Sequence, residues 1–405
     1  MGFLKMSENH KDRCLIFTAF FVGFFSSFFD EKCGGKWIAL WSLMPLFWME
    51  TRSRCSGFFV ALLFYLSVSR GIVPGASIFF RDGSLVRAIV LWILSAVALA
   101  IPWGLLWRKT GCSLVSIVAL CASVPPPLGL IGWGNPLTAS GFFFPGSGWY
   151  GLMLMFTLYT MAAAYRSFRF FLIIFVPVLI CCLNANTPLP SEVMRGVNTS
   201  FGRMASGSGD FEMQHERERQ VFTLLRRMLR NGEYEGVKVV ILPETLIGRI
   251  YPTTLRRWEK ALEPIVNAGI SFMIGAEVAT DQGRKYDNVM FFFERGNVHR
   301  KTIQRFPVPF SMYRPFSGRG ANASIGSLGK DSVLELNGKK IGFLICYEQF
   351  LCWPVLTLML HNPDVLATPA NLWWCKDTSL PTIRCGVIRL WAALFGVSVV
   401  DAVNR

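Results

Sequence analysis

Apolar residues follow two different rhythms along this chain, and the change of rhythm near residue 190 divides it. Up to Pro188 long apolar stretches alternate with short charged connectors, at 14–29, 37–49, 57–69, 88–107, 113–133, 148–165 and 169–183. A helix crossing the hydrocarbon core needs about 20 apolar residues, a length that 88–107 and 113–133 reach and that 37–49 and 57–69 do not. Their succession predicts a membrane domain of about seven transmembrane helices over 1–188: a lone run of about 13 residues has a buried core helix or an interfacial segment as its alternative, which seven in succession outweigh. From about Ser191 the pattern shifts to short Val/Ile/Phe-rich runs between polar amphipathic segments, as in alternating strands and helices. The change falls in the turn-rich stretch NANTPLPSE, so 191–405 is expected to fold as an α/β domain.

Within that second domain, strands are predicted at 237–242, 271–278, 288–294, 297–302, 332–336, 340–346, 364–368 and 397–403. Glu294-Arg295-Gly296-Asn297 and Asn337-Gly338 lie between paired runs, and Asn-Gly suits a two-residue hairpin with positive φ at both turn positions. Helices are predicted at 211–230, 254–267 and 379–395; the first sets Phe222, Leu225, Met228 and Leu229 on one stripe and stops at Asn231-Gly232. Hairpins mixed with β-α-β units predict a sheet-on-sheet sandwich with outer helices. The glycine-rich RMASGSG at 203–209 lacks phosphate-loop spacing and is read as a plain loop.

Composition agrees with this division. With 405 residues and 52% hydrophobic content the chain is too apolar for an ordinary soluble globule and long enough for two units. Lys and Arg are retained in cytoplasmic loops. A cytoplasmic N-terminus puts Lys5, Lys11, Arg13, Arg52, Arg54, Arg108, Lys109, Arg166 and Arg169 inside, against Lys32, Lys36, Arg70, Arg81 and Arg87 outside. Seven spans then place the second domain on the periplasmic side of a multi-pass inner-membrane protein. The first apolar run ends in SSFFDEKCGG without a small-residue cleavage pattern and is expected to stay as the first span.

The net charge of +15 comes from scattered or paired residues such as Arg226-Arg227, Arg256-Arg257 and Lys339-Lys340. Without a dense basic run, no direct nucleic-acid binding is expected, and a solvated face near anionic lipid headgroups is the better reading. The 11 cysteines form no CxxC, and Cys121, Cys181 and Cys182 lie inside apolar stretches, which argues against a disulfide framework. His10, His215, His299 and His361 form no HExxH or Cys/His cluster, so neither a metal nor another cofactor is expected.

Candidate chemistry sits at strand ends: Glu244 in VVILPETLIG, Lys301 in NVHRKTIQRF and Cys346 in KIGFLICYEQF. Singly, each has an ordinary role, as a helix-start carboxylate, a solvated lysine and a core cysteine. Brought to one sheet edge they make a base, an oxyanion donor and a nucleophile, because a thiol is activated by a neighbouring carboxylate and cation. Glu348, two residues beyond Cys346, is expected to face the same site.

GVNTSFGRM at 196–204, ILPET at 241–245, RKTIQRFPVPF at 300–310, ICYE at 345–348 and ANLWW at 370–374 resemble segments of the nitrilase superfamily of carbon–nitrogen hydrolases. With a multi-span region ahead of them, the chain is similar to the apolipoprotein N-acyltransferase group, and within it to members serving conjugal plasmid transfer. The resemblance implies an α-β-β-α sandwich and a triad of Glu244, Lys301 and Cys346, supported by Tyr347, Glu348, Asn371 and Trp374. It implies a phospholipid acyl donor, a Cys346 thioester and an amine acceptor such as a lipoprotein N-terminus. Water as acceptor gives a membrane-tethered amidase instead, and the fold without the chemistry gives a membrane component of the conjugation apparatus.

The chain departs from the group's pattern at several positions. Ser311 and Met312 replace the last two residues of a VPFGE segment that carries a second glutamate. Lys301 stands about three residues farther from Val308-Pro309-Phe310 than the group's spacing sets its lysine. Ala205 or a neighbour stands for a tryptophan, Leu372 for an aspartate, and the group's pattern runs on beyond Arg405 to further strands and a last span.

Overall fold

The computed structural model describes residues 2–26, 35–80, 84–108, 112–165, 193–203, 211–294, 297–336 and 338–405. The chain forms two compact units, the first comprising Met1–Pro188, Phe350–Trp353 and Asp377–Gly396, the second Leu189–Gln349, Pro354–Lys376 and Val397–Arg405. The expected boundary at 188–191 and the apolar stretch 169–183 lie outside the described residues.

The first unit is helical: α1 (Gly2–Phe25), α2 (Leu43–Glu50), α3 (Arg54–Val68), α4 (Ile72–Phe79), α5 (Leu85–Leu106), α6 (Cys112–Ala122), α7 (Ser140–Phe143) and α8 (Trp149–Tyr165). Among the described residues α5 alone is long and apolar enough to cross a membrane, and α3 with α4 passes the same test only as one pair bent by 51°. The span expected over 113–133 is cut short at Ala122, because Pro125, Pro126 and Pro127 supply no N–H donors to extend the helix. Indole N–H groups stitch the apolar interior: Trp48 donates to the Trp103 carbonyl at 2.9 Å, Trp107 to the Thr51 hydroxyl at 2.9 Å and Trp92 to the Leu66 carbonyl at 3.0 Å. Val86, Leu94 and Leu105 of α5 are exposed, so this helix carries an apolar surface that its own unit leaves uncovered.

The second unit is built on two sheets. The first holds β1 (Met194–Gly196), β2 (Val239–Ile241), β3 (Arg249–Ile250), β4 (Ser271–Thr280), β5 (Lys285–Glu294), β6 (Asn297–Ile303) and β7 (Gly320–Ala321). Its order is β1-β2-β4-β5-β6, with β3 beside β4 and β7 beside β5. The second sheet orders β8 (Val333–Leu336), β9 (Lys339–Phe343), β10 (Val365–Asn371) and β11 (Ser398–Asn404) as β11-β10-β9-β8. All the predicted strands are present, and both hairpins pair antiparallel, although Arg295, Gly296 and Asn337 of their turns lie outside the described residues. The unpredicted strands β1, β3 and β7 have two or three residues each and, unlike the equally short β2 in VKVVIL, lie in no Val/Ile/Phe-rich run.

Strand alternation explains the layers. Val240, Leu242, Phe272, Ile274, Val289, Phe291 and Phe293 share one core with Val221, Leu225 and Met228 of α9 (Phe211–Arg230) and Trp258, Leu262 and Ile265 of α10 (Pro252–Asn267). The alternate residues Val239, Ile241, Met273, Met290 and Phe292 are buried as well, covered by the second sheet on the inner face. There Gly196 lies so close to the Asp401 carbonyl that a Cβ would come within 1.9 Å. On its outer side the second sheet carries Leu358 of α11 (Cys352–Met359) against Gly342.

The helix predicted at 379–395 is present as α12 (Leu380–Phe395) and belongs to the first unit. Its Leu390 carbonyl lies against Gly141 of α7 at a distance no Cβ could share, and its C-terminal Ala393 and Leu394 carbonyls accept from Gly146 and Gly148, both at 2.7 Å.

Candidate active site

Glu244 reaches the inner face because the chain leaves β2 at Ile241 and crosses over β4 at Gly275. There a Cβ would lie 2.4 Å from the Pro243 carbonyl and 2.5 Å from the Glu244 Cα. Only a residue without a side chain allows that approach. Thr245 follows with φ +53°, and the Glu244 carboxylate, 3% exposed, is then fixed on both oxygens. Oε1 accepts from Asn288 Nδ2 at 2.5 Å and Oε2 from the Asn371 backbone N–H at 3.1 Å.

Cys346 stands just beyond β9, at the start of a tight 3-10 turn, with φ +50°. A cysteine in the left-handed region is strained, and such strain gathers where a side chain must be held out of the regular strand direction. Its thiol hydrogen-bonds the Glu244 carboxyl, and the Asn371 N–H serves both groups. Burial raises the Glu244 carboxyl to about 7 against the opposing pull of its hydrogen bonds. Burial, and then the neighbouring Glu244, push the Cys346 thiol well above its ordinary range. The pair therefore rests as a neutral thiol beside a carboxyl that titrates near neutrality.

Lys301 is not brought to this pair, which corrects the triad expected from the sequence. It is exposed on edge strand β6 opposite Phe291, whose side chain belongs to the helix-covered core, so it shares that outer face. Gln304, three residues on, has the opposite parity and is buried at the site. Its Nε2 donates to the Ile345 carbonyl at 2.9 Å and its Oε1 accepts from Asn288 Nδ2 at 2.9 Å. The three-residue offset of Lys301 from Val308-Pro309-Phe310 was the signal that marks position 304 instead.

Gln304 completes a polar row that sequence reasoning missed. Arg249 pairs with Glu277 and Glu277 with Asn288 across β3, β4 and β5, and the Gln304 N–H donates to the Asn288 carbonyl at 2.8 Å. These residues lie side by side on the inner face. Glu277 is raised to about 7 by burial, with Arg249 lowering it and Glu244 raising it. Its carboxylate is 3.9 Å from Arg249.

The remaining predicted residues act on the backbone. Glu348 is buried, and its Oε2 accepts from the Ile345 N–H at 2.7 Å while its Oε1 accepts from Arg305 and Phe306 N–H groups at 2.7 and 3.1 Å. It thus ties the segment after β6 to the cysteine turn, with the buried Arg305 guanidinium 3.8 Å away. Gln349, not anticipated, anchors the same turn by donating to the Leu344 and Pro369 carbonyls at 2.6 and 2.9 Å. Asn371 contributes its N–H to Glu244, its side chain accepts from Asn404 Nδ2 at 2.8 Å, and Trp374 donates its indole N–H to the Asn371 carbonyl at 3.1 Å. Tyr347 is buried next to the cysteine.

Chemically, the arrangement offers a thiol and a proton acceptor in contact, with a neutral amide where a lysine was expected. Among the described residues the groups acting on the thiol proton are Glu244, Asn371 and Cys375, and none of these is a cation.

No family model matches the chain. It is 30% identical over 385 residues to the conjugal transfer protein TraB of Agrobacterium fabrum (strain C58), covering 89% of this chain and 86% of the relative. It is also 30% identical over 367 residues to a probable conjugal transfer protein TraB of Sinorhizobium fredii, covering 89% of this chain and 90% of that one. Among solved structures, a variant of the Nesterenkonia AN1 amidase from the nitrilase superfamily aligns with a TM-score of 0.37 at 13% identity, over 54% of this chain and 79% of that one. A carbon–nitrogen hydrolase from Helicobacter pylori G27 aligns with a TM-score of 0.37 at 14% identity, over 50% and 71%.

Proposed function

Because the chain belongs to the family of the conjugal transfer protein TraB, we propose that it is a membrane-held thiol enzyme of the carbon–nitrogen hydrolase type that transfers an acyl group during conjugal plasmid transfer. The observation that carries this reading is Cys346, held at φ +50° on a turn and hydrogen-bonded to the buried Glu244. A merely structural cysteine needs neither the strained backbone nor a carboxyl partner.

In the proposed reaction Glu244 takes the thiol proton as sulfur attacks the carbonyl carbon of an acyl donor, and returns it to the departing group, leaving a thioester on Cys346. An amine then attacks the thioester carbonyl, its proton passes through Glu244 to the sulfur, and an amide and the free thiol result. Backbone N–H groups of the cysteine turn, with the Gln304 amide turned toward the site, are the donors for the oxyanion. A neutral amide supplies less stabilisation there than an ammonium does.

The proposed donor is a phospholipid and the acceptor a lipoprotein-like amine, with the second unit on the periplasmic side of the inner membrane. Supporting a membrane-held chain are α5, the bent pair α3–α4 and the exposed apolar side chains of α5. The multi-pass topology rests on the apolar stretches and the Lys/Arg pattern of the connectors. A second reading, a non-catalytic membrane component of the conjugation apparatus, is favoured by one observation, Gln304 in the position expected for lysine.

Replacing Cys346 by Ala in the native plasmid, with protein level monitored, separates the two. The enzyme reading expects transfer frequency to fall at least tenfold; normal transfer by a stably expressed variant would sink it. Incubating the purified chain with radiolabelled phospholipid is expected to leave a hydroxylamine-sensitive adduct on Cys346.

A further inference from the structure

Two buried polar atoms of the row beside Glu244 lack a hydrogen-bond partner among the described residues, the Arg249 Nε donor and the Asn288 Oδ1 acceptor, and they belong to different strands. Glu244 and Glu277 are both buried, Glu244 raises the Glu277 carboxyl, and among the described residues Arg249 forms its ion pair with Glu277, at 3.9 Å. Arg305, the other buried cation nearby, is 3.8 Å from Glu348 and donates to the Thr357 hydroxyl and the Pro354 carbonyl. Asn288 donates its Nδ2 to Glu244 and Gln304, and its Oδ1 is a buried acceptor with no partner among the described residues, on a residue 1% exposed. Buried acceptors are ordinarily satisfied, so an unpaired one next to two carboxylates marks a place where a donor is expected.

We infer that this site carries a seat for a primary ammonium group, bounded by the Glu244 and Glu277 carboxylates and the Asn288 amide oxygen. A ligand's ammonium there supplies the positive charge that Gln304 does not. An ammonium has three N–H donors and no acceptor, the complement of this set. A glutamine also ends one bond short of a lysine, so its amide stops before the place a tethered ammonium would fill. The ligand class is a primary amine in its protonated form. Arg249 already faces Glu277, so the ligand adds a cation on the Glu244 side of the row, which couples reactivity to occupancy. The inference rests on the proposed function in treating Glu244 and Cys346 as a working pair.

Its test uses the full chain in detergent with Cys346→Ala, which forms no thioester, so amine binding is read apart from acyl transfer. At pH 8 ethanolamine is expected to raise the unfolding temperature saturably, while ethylene glycol and tetramethylammonium at equal concentration do not. Glu277→Gln is expected to weaken the apparent affinity at least tenfold. Gln304→Lys, which tethers an ammonium in the seat, is expected to abolish the effect, whereas Gln304→Met keeps it. An absent ethanolamine shift, a shift matched by tetramethylammonium, or one that survives Gln304→Lys overturns the inference. An ethanolamine effect without any acyl adduct on the wild-type chain would leave the inference standing and remove the proposed reaction instead.

Discussion

The Glu244 carboxyl titrates near 7 in the folded chain instead of at its usual 4.5, and this makes stability depend on pH with a definite sign. Below pH 4.5 both folded and unfolded states hold the proton and no penalty exists. As pH rises toward 7 the unfolded chain ionises first, so stability is lost across that window and stays low above it. The difference from 4.5 to about 7 corresponds to roughly 3 kcal/mol, most of it between pH 5 and 8, and Glu277 adds a contribution of the same sign. In a unit of this size that is about 6–12 °C in unfolding temperature. Glu244→Gln removes the titration, and whatever fixed cost the amide brings is the same at every pH. Calorimetry of the full chain in detergent from pH 5 to 8 is therefore expected to show a clearly shallower fall for Glu244→Gln than for the wild type. Parallel profiles would refute the assignment of a buried, proton-holding Glu244.

Gly275→Ala drives a Cβ into the backbone on either side of Glu244 and is expected to cost about 2–4 kcal/mol and to reduce the rate of Cys346 acylation by roughly 100-fold, followed by adduct formation at equal protein level. Glu348→Gln leaves the buried Arg305 without its countercharge and a backbone N–H without an acceptor, an expected loss of about 3–5 kcal/mol visible as a lowered unfolding temperature. Lys301→Ala, on the exposed outer face of β6, is expected to change stability by less than about 0.5 kcal/mol and to leave transfer frequency unaltered; a tenfold drop in transfer would return Lys301 to the site.

The sandwich was legible because its strands are short Val/Ile/Phe-rich runs bounded by polar segments and its hairpins carry Asn-Gly and Arg-Gly turns. Glu244 and Cys346 were legible as strand-end residues, but the third position was not. Lys301 lies on β6 and Gln304 just past its end, and the parity that decides the face becomes visible only once the pairing of Phe291 with Lys301 is known. Asn288 and Glu277 escaped notice for a similar reason: they are ordinary polar residues in apolar runs, and only lateral register places them beside Gln304. In the first half, apolar length alone overestimated the 113–133 span, since hydropathy averages across three prolines that end a helix.

The inclusion of Asp377–Gly396 in the first unit has a consequence for synthesis. The first unit is missing α12 until most of the second unit has been made, and the second unit in turn awaits β11 after it. Such long-range closure slows folding and leaves apolar surface open meanwhile. A chain interrupted before residue 377 would therefore leave two unfinished units rather than one finished and one missing.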